Sequence, residues 1–217
     1  MNEVAHILSP VNAGWVGWMM FALLVCAVLA ECLQRGIITQ APLSLFTRSE
    51  RTYKDAPVNF WAQVLITIFR IGTIAMAVNL CCYTGQSFTF ASFGVVCGII
   101  VGLLLVKMIC HALLDYTFLL SRMFQFAYEH YANIITLTAV ILYPVLLVLL
   151  RIGNPVAAQW GVGVIAGLFG LVWLYRGGRM FITSPLAIVY FILYFCTLEL
   201  LPMAALYYLS ELTIQIL

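Results

Sequence analysis

Charge is what this chain of 217 residues has least of: Lys and Arg number 10, Asp and Glu 8, and together they make up 8% of a sequence that is 65% hydrophobic. That ratio excludes a soluble domain, which needs far more polar surface. The formal net charge of +2 gives no footing for nucleic acid as a partner. Aspartate and histidine are scarce as well. The two aspartates are Asp55 and Asp115, so a di-aspartyl membrane site is excluded, and no H-E-x-x-H occurs. His111 is the one histidine inside an apolar run, which excludes paired axial ligands for haem. A G-x-S-x-G nucleophile elbow is missing too. The seven cysteines all fall within apolar runs without a C-x-x-C pair, so neither a zinc site nor a disulfide framework is expected. This inventory predicts no catalytic set, no metal and no cofactor, and it argues against an enzyme.

What the chain has in abundance is apolar runs of membrane length. They cover about 13–34, 59–83, 92–118, 131–150, 156–175 and 186–209, and about 20 residues suffice for one crossing. The expected fold is all-α, a polytopic transmembrane helix bundle of about six spans forming one integral membrane domain over 1–217. The first run lacks a small-residue cleavage pattern and reads as a retained span. Arg35, Arg48, Arg51, Lys54, Arg122, Arg176 and Arg179 fall in alternate connections, with Arg151 alone on the other side. By the positive-inside rule both termini are then non-cytoplasmic. Glu31 stands four residues before Arg35, the spacing of a helical ion pair.

Five ionisable residues interrupt the apolar runs: Arg70, Lys107, His111, Asp115 and Glu199. A charge in mid-bilayer costs about 2.5–3.5 kcal/mol on insertion scales, so these groups are expected to face inward as a buried network. Asn59, Gln63, Thr67 and Thr73 lie within about 60° of Arg70 and extend its stripe. Counted from the cytoplasmic helix ends, Arg70 and Lys107 are each roughly 15 Å deep and Glu199 roughly 20 Å. Lys107, His111 and Asp115 stack at i, i+4, i+8, and Gly94, Gly98 and Gly102 stack about 140° away. The helix over 94–115 is thus expected in the middle of the bundle, with a second glycine pair, Gly163 and Gly167, packing the fifth span. Pro144 should kink the fourth span, and FQFAYEHYANI before it reads as an interfacial helix or a helical turn.

The C-terminal third carries Arg176-Gly177 and then Leu193-Tyr194, Cys196-Thr197-Leu198-Glu199 and Leu201-Pro202. This LY-x-CTLE-x-LP pattern resembles the closing signature of an uncharacterised multi-pass membrane family of Bacteroidota, a domain of unknown function. The resemblance implies a bacterial inner membrane and names no activity; its matched positions are Arg176, Gly177, Tyr194, Cys196, Thr197, Glu199 and Pro202. Two functions fit the residues. One is a structural or assembly subunit of a membrane complex, with lipids and another membrane protein as partners. The other is a small transporter or lipid-handling protein using the charges for an anionic substrate or proton coupling.

Overall fold

A computed structural model describes residues 14–39, 59–82, 89–118, 121–152 and 154–181, with 204–205 and 208–209. Within them run five long helices: α1 (Gly14–Leu33), α2 (Phe60–Cys82), α3 (Phe90–Phe118), α4 (Ser121–Ile152) and α5 (Pro155–Phe181). The described residues contain no strand. Four stretches are long and apolar enough to cross a membrane, Gly14–Leu33, Phe60–Cys81, Phe90–Cys110 and Ala132–Ile152, and Val156–Val172 is a shorter apolar one. The expected 186–209 span lies outside the described residues, apart from the two dipeptides near its end.

Local chemistry sets the helix starts. Asn59 caps α2, its Oδ1 accepting from the Trp61 amide at 3.1 Å and its carbonyl from Gln63 at 3.2 Å. Thr89 caps α3 through Oγ1, which accepts from the Ser92 amide at 3.3 Å. Asn154 caps α5 by accepting from Val156 and Ala157, with Pro155 at the first helical position where its missing N–H is harmless. The segment expected as a separate interfacial element is instead the uninterrupted start of α4. Nothing between Ser121 and Tyr143 is Gly or Pro, so nothing breaks the ladder there. Pro144 is accommodated inside the helix on an exposed position.

Packing converges on α2, which touches each of the other four helices. Half of its membrane-length window is buried (50%), against 17% for α3. Among the described helices α2 is therefore the central one and α3 lies at the edge. The physical reason is steric. Ala62, Gly72, Ala75 and Ala77 are spread around roughly 200° of α2 with other buried positions, so backbones can approach it from several sides. Leu23 of α1 lies directly on Gly72, where a Cβ would collide with its side chain. The buried residues of α1, Val16, Met20, Leu23, Ala27 and Ala30, alternate four and three apart, the seam of a left-handed helix pair.

Candidate functional site

Interhelical contacts fix the register around Arg70. Leu23 meets Gly72 between antiparallel α1 and α2. Asn79, 2% exposed, donates through Nδ2 to Ser92 Oγ of α3 at 3.2 Å, and Ser92, 3% exposed, donates onward to the Thr89 carbonyl at 2.7 Å. The Phe69 and Tyr143 rings lie 5.8 Å apart between α2 and α4. Gln159 of α5 donates through Nε2 to the Cys81 carbonyl at 2.9 Å, satisfying an orphan acceptor at the end of α2. Stepping about 1.5 Å per residue from these anchors puts Arg70 level with Val25, Val101, Pro144 and Gly170.

That level is near the middle of the Phe60–Cys81 stretch. Arg70 is half-buried, its Nε enclosed, one position from buried Phe69 and three from buried Thr73. Thr73 spends its hydroxyl on the Phe69 carbonyl at 2.8 Å. Of the stripe expected with Arg70, Thr73 is buried and Asn59 and Gln63 half-buried, whereas Thr67 points outward and donates to the Gln63 carbonyl at 2.7 Å.

Lys107, expected at the depth of Arg70, lies about 9 Å nearer the basic end of the bundle, six residues beyond Val101. Depth counted from the end of α3 was misleading because α3 and α4 overshoot α2. By the same register His111 is level with Phe60, the first residue of α2, and Asp115 lies beyond it. Lys107 is half-buried on the face of α3 that also buries Ser92, Val96 and Ile100. Neither Arg70 nor Lys107 is left to itself. The side chains of His111 and Asp115, and of Arg176 and Gly177 near the end of α5, fall outside the described residues. So do Tyr194, Cys196, Thr197, Glu199 and Pro202.

Among the described helices the expected glycine stripes meet no partner. Gly94, Gly98 and Gly102, and likewise Gly163 and Gly167, are exposed, with open space where a Cβ would stand. They face away from the described helices. The close approaches are made at Gly72 and at Gly161, whose Cβ would lie 3.0 Å from Leu149. Sequence reasoning also missed Tyr143, whose hydroxyl donates to the Met20 carbonyl of α1 at 2.9 Å. A tyrosine beside Pro144, able to span to another helix, was the available signal.

Residues 16–209 match a family model described as a domain of unknown function, DUF4271. The chain belongs to this family. No curated protein and no solved structure matches it. Membership in DUF4271 covers almost the whole chain, so α1 to α5 and the Arg70 level are all family territory.

Proposed function

We propose that the chain is a non-catalytic subunit of a bacterial inner-membrane complex, spanning the bilayer about six times with both termini outside the cytoplasm. Membrane lipids and a further membrane protein are its partners. Its charge network serves to fix helix packing, with Glu199 paired to Arg70, Lys107 or both. The observation that carries this reading is how the polar side chains of the described helices are used. Asn79 is bound to Ser92, Thr73 and Thr136 to carbonyls of their own helices, Tyr143 to α1 and Gln159 to the end of α2. A transporter keeps such groups turned toward a passage; here Asn79, Tyr143 and Gln159 tie helices to one another, and Thr73 and Thr136 are satisfied within their own.

The transport reading draws on the charges within the spans, among them Arg70, a half-buried cation at mid-depth suited to an anionic substrate. One experiment separates the two. Thr73→Cys, with exposed Cys32 changed to Ser to lower the background, places a thiol one turn from Arg70. In membranes the subunit leaves that thiol inert to a membrane-impermeant maleimide. Rapid labelling at position 73 would mean a water-filled path and would move the function to transport.

A further inference from the structure

The basic end of α1 is built differently from what its charges suggest. Glu31 and Arg35, spaced for an ion pair, do not pair. The Glu31 carboxylate is instead filled by the chain that follows α1: Oε1 accepts from the Gly36 amide at 2.8 Å and from Thr39 Oγ1 at 3.0 Å, and Oε2 accepts from the Ile38 amide at 2.7 Å. Gly36 makes the turn possible with φ 98°, a conformation that a side chain would disfavour. Gln34, Gly36 and Ile37 are buried, so the turn is packed on the bundle and does not trail from it. Arg35, like Thr39, points outward in this turn, and among the described residues no acid accepts its guanidinium.

The register says where that guanidinium is. Arg35 stands twelve residues past Leu23, and Phe60 twelve before Gly72, so the two share a level at the end of the α1–α2 pair. Phe60 and Trp61 are 70% and 67% exposed and pack edge to face, 5.8 Å between centroids. Exposed aromatic pairs at a span end mark the headgroup layer. An arginine held at that layer by a fixed turn, with Glu31 already occupied, is preorganised for a phosphate, which it can grip with two parallel N–H donors.

We infer that the Gln34–Thr39 turn is an anionic-phospholipid site. Arg35 holds the phosphodiester, the acyl chains lie along the Phe60 and Trp61 side of α2, and Glu31 acts as a positioning residue that shapes the turn. This goes beyond a subunit role and holds or fails separately from it.

The test is lipid retention by the purified full chain, read by native mass spectrometry after exchange into phosphatidylglycerol or phosphatidylcholine. Wild type should retain phosphatidylglycerol about fivefold better than phosphatidylcholine, the factor one basic residue near an anionic surface is worth. Arg35→Gln should abolish the preference and Arg35→Lys should keep part of it. Glu31→Gln should weaken the preference although Arg35 is intact, because the turn loses its carboxylate. Arg35 is exposed, so an unchanged helical circular-dichroism melt will certify that its variants fold. A phosphatidylglycerol preference surviving Arg35→Gln overturns the site. Equal displacement by millimolar inorganic phosphate would show a free-anion site and overturn the lipid assignment.

Discussion

Helices α2 and α3 have the same ingredients, a long apolar span with one cation and several small residues, and they end up in opposite situations. α2 is buried on most of its circumference, while from Val101 onward α3 exposes Leu104, Leu105, Val106, Met108 and Ile109. Only the line through Leu103, Lys107 and Cys110 is half-covered there. The difference lies in where the small residues fall relative to the partners. In a bilayer, apolar side chains gain little by leaving lipid for protein, so burial follows close backbone approach and interhelical hydrogen bonds. α2 offers Gly72 to Leu23, Asn79 to Ser92 and the Cys81 carbonyl to Gln159. α3 offers three glycines in a row to none of the described helices.

The largest effect that would break this contrast is at the glycines. Gly72→Leu should destabilise the bundle by about 3 kcal/mol or more, since the buried Leu23 has no room to retreat. Gly98→Leu, facing open space, should change stability in detergent by less than about 1 kcal/mol. Denaturation of the two purified variants measures both. Similar losses for the two would put α3 back among the tightly packed helices. Leu23→Ala combined with Gly72→Ala should recover part of the loss from Gly72→Ala alone, because the two side chains compete for one space.

Next come the cations. On the proposed pairing with Glu199, Arg70→Gln should destabilise by about 2–3 kcal/mol, and adding Glu199→Gln should return part of that. Lys107→Gln should lose less than about 1 kcal/mol, because a lysine that near the basic end can extend its ammonium toward the headgroups. Chemical denaturation of the three variants and the double variant tests the ordering. A Lys107 loss equal to that of Arg70 would contradict the 9 Å separation of their levels.

A smaller coupling ties α2 to α3. Asn79→Ala and Ser92→Ala should each cost about 1 kcal/mol, and together scarcely more than one alone, since both delete the same buried bond. Additive losses would remove Asn79–Ser92 as the anchor that sets α3 against α2.

The class of the chain was legible from composition, because long runs with few charges have one use. The starts of α2 and α5 were legible as well, to within a residue or two, from the apolar runs over 59–83 and 156–175. Neighbour relations were not. A single helix facing lipid on one side and protein on the other is apolar on both, so the periodicity that orients a soluble helix is nearly flat here. Among the described helices the close approaches fall at Gly72 and Gly161, outside the glycine stripes, since a glycine counts only where another helix crosses it. Lys107 was placed too deep because its distance was counted from a helix end that overshoots α2. Glu31 and Arg35 had ion-pair spacing, but that reading left out the free amides of the turn after α1, which compete for the same carboxylate at closer range.

The smallest expected effect is at Tyr143, and it tests whether α4 is held to α1 by a bond or only by ring packing. The Tyr143 hydroxyl reaches the Met20 carbonyl while the ring rests on Phe69. Met20 lies inside α1, so its carbonyl keeps its helical donor when the hydroxyl is removed and no acceptor is orphaned. Tyr143→Phe should therefore cost only about 0.6 kcal/mol, the average for interhelical hydrogen bonds in membrane proteins. Tyr143→Ala also empties the ring's place against Phe69 and should cost about 3 kcal/mol. Hydrogen exchange separates the two contributions: in Tyr143→Phe the amides of α1 around Met20 should exchange faster while those of α2 around Phe69 stay protected. Unchanged exchange in α1 would mean that the hydroxyl does not bridge the helices, and that α4 is fixed by its packing on α2 and α5.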